Sequence, residues 1–166
     1  SRIIVLPESA LGFWTPTVAR LWHQGLRGLD VTVIAGAAVI DAAGYDNVMV
    51  AISADEANIL YRERMPVPIS MWQPWRAWTR QGGGARARFF ANPVVELDGT
   101  RIAPLICYEQ LIFWPALQSM LHAPDVIVAI GNGWWTAGTS IVAIQRASAV
   151  AWAKLFGVPI VTAFNT

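Results

Sequence analysis

One cysteine, Cys107, stands in a chain of 166 residues. That excludes an internal disulfide and a cysteine-based zinc site, and it says little about redox compartment. Lysine is as scarce: of the 12 basic residues only Lys154 is a lysine, and the others are arginines. The two histidines, His23 and His122, fall on predicted helices with no further ligands at metal spacing, so no metal is expected. The glycine run Gly82-Gly83-Gly84 lacks the Lys-Ser/Thr of a phosphate loop, and no cofactor is expected either. Charge is sparse and nearly balanced at +1, which speaks against direct nucleic-acid binding. No run reaches the ~18 apolar residues that would cross a bilayer. No secretory leader is visible in the sequence, which therefore reads as an excised or mature domain.

What is present is apolar. Hydrophobic residues make up 55% of the chain and nine are tryptophan, more than a small core needs, so a membrane-facing or protein-facing surface is expected. The length suits one domain, residues 1–166. Residues 2–6 read as a short buried strand. Thr15-Pro16 reads as an N-cap with proline at the first helical position, opening a helix to about Leu26. Residues 31–40 form an apolar strand covered on both faces, and residues 47–53 and 57–64 continue as strands. Asp98-Gly99 closes a hairpin between residues 93–97 and 101–106. Residues 110–121 are expected as helix with a late start at Pro115, and residues 126–130 as strand. Gly131 to Trp135 reads as a glycine-rich turn, residues 140–156 as a long helix stopped by Gly157, and residues 158–164 as a last strand. This alternation predicts an α/β or α-β sandwich architecture.

Residues 65–91 are the irregular part. Pro66, Pro68 and Pro74 exclude regular structure, and the glycines mark a flexible segment. Trp72, Trp75 and Trp78 recur at intervals of three, followed by Arg80, Arg86 and Arg88. Such a stretch is either a loop pinned by its own aromatics or a lid at a membrane surface, where Trp and Arg suit the headgroup zone.

The chemistry gathers at strand ends. An apolar strand climbs to Cys107, and Tyr108, Glu109 and a helical segment follow at once. A helix N-terminus favours a thiolate, so this is a good place for a nucleophile, although a lone buried cysteine is also a common inert packing residue. Glu8 follows the first strand, where it is either a turn carboxylate or a base for the thiol. Asn132, between glycines, either takes a left-handed turn or lines a pocket.

Leu6-Pro7-Glu8-Ser9-Ala10, Ile106-Cys107-Tyr108-Glu109 and Gly131-Asn132-Gly133-Trp134-Trp135 together resemble the nitrilase superfamily. The branch they are most similar to is that of the apolipoprotein N-acyltransferases, and within it the conjugal-transfer relatives. Tyr45-Asp46-Asn47, Tyr61-Arg62-Glu63 and Gln145-Arg146-Ala147 fall in matching order. The resemblance implies an α-β-β-α sandwich carrying a Glu-Lys-Cys triad, here read as truncated at both ends, with open sheet edges through which copies could associate. It implies Glu8 as general base, Cys107 as the nucleophile that forms a thioester, and Glu109 as the supporting carboxylate. Tyr108, Asn132 and Trp134 would bind substrate, the Tyr108 N–H facing the oxyanion. It further implies a domain of a larger, membrane-anchored protein on the periplasmic side of a bacterial inner membrane, with an acyl donor such as phospholipid. Trp72, Trp75 and Trp78 would then meet the membrane.

One position departs from the pattern. Where the family has the lysine that stabilises the oxyanion, this chain has Glu63, and Lys154 lies on the late helix. Arg62 or Arg64 would have to supply the charge, although a guanidinium is no equivalent of an ammonium in a tight site. A second family glutamate is also absent, with Ile69-Ser70-Met71 in its place. Two functions follow from the resemblance: a cysteine-dependent amidase or N-acyltransferase, or a catalytically impaired accessory domain of a conjugation machinery.

Overall fold

A computed structural model describes residues 2–79, 82–134 and 138–165. Arg80 and Trp135, both part of the sequence readings above, lie outside them.

Two four-stranded sheets form the centre. The first is β1 (Arg2–Val5), β2 (Val31–Asp41), β3 (Gly44–Ile52) and β4 (Ala57–Arg62), in that order. β1 and β2 run parallel and the other pairs antiparallel. The second is β5 (Val95–Leu97), β6 (Thr100–Ile106), β7 (Val126–Asn132) and β8 (Ile160–Asn165), with an antiparallel hairpin at β5–β6 and parallel pairs beyond. Helix α1 (Pro16–Leu26) covers the first sheet; a short α2 (Arg76–Thr79) sits in the irregular stretch. Helices α3 (Phe113–Met120) and α4 (Ile141–Phe156) belong to the second sheet.

The period of two along each strand sorts side chains into three apolar layers. On β2, Val33, Ala35 and Ala37 face outward to α1 with Val48, Val50 and Ile52 of β3. Ile34 and Met49 face inward and meet Ile102, Ile106, Val128 and Ile130 of the second sheet. Ala103, Leu105, Ile127 and Ala129 face the other way, against Ala149 and Ala153 of α4. The small residues of α4 let the helix lie close to its sheet. The result is the expected α-β-β-α sandwich.

Local chemistry explains the joints. The Thr15 hydroxyl accepts the Val18 N–H at 3.3 Å, and Pro16 follows as the first helical residue. Asp98 and Gly99 both have positive φ, 50° and 76°, as a two-residue hairpin turn requires. Three elements differ from the sequence reading. β1, read as a buried strand, lies at the edge of its sheet with Arg2, Ile3 and Ile4 exposed. Gly131 and Asn132 continue β7, because β8 pairs with them through Phe164 and Asn165. The helix read over residues 110–121 is broken instead into a 3₁₀ turn, Cys107–Leu111, and α3, with Pro115 in the first turn of α3, where its missing N–H costs nothing.

Residues 65–91 are largely irregular among the described residues, and their aromatics do not share one surface. The Trp72 ring stands edge-on to Phe89, centroids 5.0 Å apart, whereas Trp78 is 86% exposed and Trp75 is exposed too.

Candidate active site

β1, β4, β6 and β7 all end at one side of the sandwich, and the residues that follow them converge. Cys107 opens its 3₁₀ turn with φ 47°, a left-handed conformation costing a non-glycine residue roughly 1–2 kcal/mol. Glu8 is brought against β2 by a tight turn in which the Gly36 N–H donates to Pro7 O at 3.2 Å. A Cβ on Gly36 would stand 2.5 Å from the Glu8 Cα, so only glycine lets this backbone approach.

The Cys107 thiol donates to the Glu8 carboxyl, which also accepts the Asn132 N–H. Burial is the main reason the Glu8 carboxyl is raised from 4.5 to about 7; these hydrogen bonds oppose the shift and the Glu109 charge adds to it. A base poised near neutrality is what general-base catalysis wants. Burial likewise pushes the Cys107 thiol up to about 12, with the charges of Glu8 and Glu63 adding to it and a hydrogen bond from Gln145 Nε2 at 3.5 Å opposing. The expectation that a helix start would favour the thiolate is therefore corrected. A single 3₁₀ turn offers little positive field, and desolvation with two carboxyls close by outweighs it.

Glu109 ties the site together. It accepts the Tyr61 hydroxyl at 2.7 Å and the N–H groups of Arg64, Met65 and Ile106 at 2.7, 3.2 and 2.9 Å. Burial pushes its carboxyl up, and the Arg64 guanidinium with these donors pulls against that. Its oxygens are occupied from all sides, so it acts as a fixed acceptor joining the ends of β4 and β6. Asn132 donates through Nδ2 to the Ser9 hydroxyl at 3.3 Å, joining the two sheets. Tyr108 is half-buried beside Cys107 in the turn, and Trp134 is two-thirds exposed at the rim.

Neither arginine takes the place of the missing cation. Arg62 pairs with Asp46 on the opposite face of β4, where Arg86 and Arg88 also converge. Burial would raise the Asp46 carboxyl, but the hydrogen bonds of Arg86 and Arg88 hold it below the usual range. Arg64 is wholly buried but spent: Nε donates to the Tyr61 hydroxyl at 2.9 Å, Nη1 to Gln118 at 2.9 Å, and Nη2 to Ser119 and the Pro104 carbonyl at 2.9 and 3.3 Å.

The residue that does reach the site is Glu63. It is 2% exposed; its Oε2 accepts Asn47 Nδ2 at 2.9 Å while Oε1 is buried without a partner. Burial pushes its carboxyl well above the usual range, and the charges of Glu109 and Glu8 push it further. Sequence reasoning named the position and then looked to its neighbours. The signal was Tyr61, two residues before: a large apolar side chain on the same face marks that face as inward. Gln145 and Asn47 stand in segments that match the family pattern but were not named as site residues.

A recess of about 560 Å³ among Asp30, Ser53, Glu56, Asn58 and Glu96 lies at the opposite ends of the strands and has no part in this chemistry.

The sandwich and this strand-end constellation define a class. The carbon-nitrogen hydrolase family profile matches residues 16–154, and the chain belongs to that family. It is 76% identical over 166 residues to the conjugal transfer protein TraB of Agrobacterium fabrum, covering 100% of this chain and 39% of that protein. It is 68% identical over 165 residues to the probable conjugal transfer protein TraB of Sinorhizobium fredii, covering 99% and 43%. The chain thus spans about two fifths of the length of these curated relatives. Among solved structures it resembles a carbon-nitrogen hydrolase from Helicobacter pylori (TM-score 0.71, 14% identity, 99% of this chain and 61% of that one). It also resembles a nitrilase-superfamily amidase from Nesterenkonia (TM-score 0.70, 9% identity, 99% and 63%). The same amidase has been solved with acrylamide joined to its active-site cysteine by Michael addition (TM-score 0.68, 11% identity, 99% and 65%). At these identities the structural likeness establishes the fold.

Proposed function

We propose that this domain carries out cysteine-based acyl transfer. Cys107 would take an acyl group from an amide or ester as a thioester, and water or an amine would then remove it. The observation that carries the reading is the Cys107 thiol donating to a buried Glu8 carboxyl whose affinity for protons is matched to neutral pH. With the thiol itself held neutral, attack and deprotonation go together, the proton passing to Glu8 as sulfur bonds to carbon. Family membership supports carbon–nitrogen bonds as the target, and N-acyl transfer is the finer form of the proposal.

The relatives' names support a role in conjugal transfer. The exposed Trp75 and Trp78 support contact with a lipid surface, which would bring a phospholipid acyl donor within reach. Among the described residues no helix is long and apolar enough to cross a membrane.

The test is the pH dependence of Cys107 alkylation by iodoacetamide in the parent and in Glu8→Gln. The expected rate rises with ionisation of Glu8, with a midpoint near pH 7, and Glu8→Gln loses that limb. A rate that follows only thiolate formation and ignores Glu8 would sink the proposal. That result belongs to the second reading, a domain that keeps the fold without the reaction. This reading is favoured by the carboxyl of Glu63 at the position where the nitrilase-superfamily pattern has a lysine.

A further inference from the structure

Four buried oxygens around the thiol lack a partner: Glu8 Oε2, Glu63 Oε1, Gln145 Oε1 and Asn132 Oδ1. Each needs a donor or a proton, since an unsatisfied buried polar atom costs about 1–3 kcal/mol. The two amide oxygens can only accept. Glu8 is engaged with the thiol as its base. Glu63 is left. Its Oε2 is fixed as an acceptor by Asn47, so a proton on this carboxyl resides on Oε1, the buried oxygen left without a partner.

We propose that Glu63 serves the acyl transfer as a neutral carboxylic acid, its Oε1–H donating to the acyl carbonyl oxygen as Cys107 attacks. The inference rests on the acyl-transfer reading above. In the step, the Cys107 proton passes to Glu8 while Sγ bonds to the carbonyl carbon. The carbonyl π pair moves onto oxygen, where the Glu63 hydroxyl meets it. The C=O re-forms as the bond to the leaving group breaks, and that group departs with the proton held by Glu8. Glu63 keeps its own proton throughout.

The surroundings favour the neutral form. The titratable and charged groups facing Glu63 are Glu8 after β1, Tyr45 on β3, and Cys107 and Glu109 in the 3₁₀ turn. Among the described residues the buried cation nearby, Arg64, is committed to Tyr61, Gln118, Ser119 and Pro104 and lies 3.9 Å from Glu109. With no cation of its own, a carboxylate at Glu63 would be a buried uncompensated charge, and burial with the neighbouring carboxyls keeps it protonated well above the usual range. A neutral acid in an apolar pocket is a strong donor to a developing oxyanion.

The experiment measures the burst of nitrophenolate from p-nitrophenyl acetate against pH in the parent, Glu63→Gln and Glu63→Ala. The parent should acylate in a window bounded below by Glu8 and above by Glu63, with a fall at alkaline pH as Glu63 ionises. Glu63→Gln keeps a donor, because its oxygen can accept from Asn47 and its NH₂ then faces the site. It should acylate within a few-fold of the parent and lose the alkaline fall. Glu63→Ala should lose roughly 100-fold or more, the usual effect of removing one oxyanion donor. If Glu63→Ala matches the parent, or Glu63→Gln retains the alkaline fall, Glu63 has no such role although acyl transfer stands. If Glu63→Ala does not fold, the Glu63→Gln profile decides. A parent that forms no acyl adduct at any pH overturns both the acyl-transfer reading and this inference.

Discussion

Glu8 makes folding stability depend on pH in a direction opposite to most carboxylates. Its carboxyl titrates about 2.5 pH units higher in the folded chain than its ordinary 4.5. Between these values the folded state binds the proton and the unfolded state has released it, so stability falls as pH rises. At pH 4 both forms are protonated and the contribution is nearly nil. By pH 8 both are ionised and the folded chain carries the full cost of a buried charge, about 3 kcal/mol at 1.36 kcal/mol per unit. Glu8→Gln removes the titration and keeps the size and hydrogen-bonding capacity of the side chain. Urea unfolding of both proteins at pH 4 and pH 8 isolates the effect, since the other groups are shared. Relative to the parent, the variant should gain about 3 kcal/mol on going from pH 4 to pH 8. That is a midpoint shift of ~1–2 M for a urea slope of about 2 kcal/mol per molar. A difference between the two proteins that stays constant from pH 4 to pH 8 would refute the buried, proton-retaining Glu8 and the base assigned to it.

Two further outcomes follow from the packing. Gly36→Ala drives a methyl into the Glu8 backbone, 2.5 Å from its Cα, and should cost about 1–3 kcal/mol of stability and slow Cys107 alkylation at neutral pH; an unchanged alkylation rate would show that Glu8 is not held by this contact. Arg64→Met leaves Glu109 without its cation and should destabilise by about 3–5 kcal/mol in urea unfolding; adding Glu109→Gln should recover part of that loss, and strictly additive effects would argue against the pair.

How much of this was legible depends on the range of the interaction involved. The near-continuous apolar run of β2 marks a strand covered on both faces, but both alternating sets are apolar, so only the packed structure assigns Val33, Ala35 and Ala37 to α1 and Ile34 to the second sheet. Thr15-Pro16 and Asp98-Gly99 carry their local geometry in their own chemistry. Gly131 and Asn132 read as a turn because glycine weakens a strand locally. Only the partner β8, some thirty residues later, supplies the ladder that extends β7 through them.

The site was half legible. Glu8, Cys107 and Glu109 stand out as polar residues closing apolar strands, and the structure brings them together with Asn132. The state of the thiol did not stand out. It depends on Glu8 and Glu63, which arrive from the ends of other strands, and on burial that no local window contains. The missing cation drew attention to Arg62 and Arg64, yet alternation from the inward Tyr61 points Arg62 outward to Asp46. Arg64 follows the end of β4, where alternation no longer governs, and turns toward Gln118 and Ser119 at α3. The strand does carry a register irregularity opposite Met49 and Val50, but Glu63, with its N–H on Asn47 O at 2.8 Å, stays close enough for its charge to act on the thiol.

The most direct test of the central claim is to trap the acyl enzyme. The parent, Glu8→Gln and Cys107→Ser would be mixed with p-nitrophenyl acetate at pH 7.5, quenched in acid within seconds, and read by intact mass with peptide mapping. The account predicts one acetyl group on the parent, mapped to Cys107, a much lower yield in Glu8→Gln, and none at that position in Cys107→Ser. An unmodified Cys107 in the parent, or equal labelling of parent and Glu8→Gln, would contradict it.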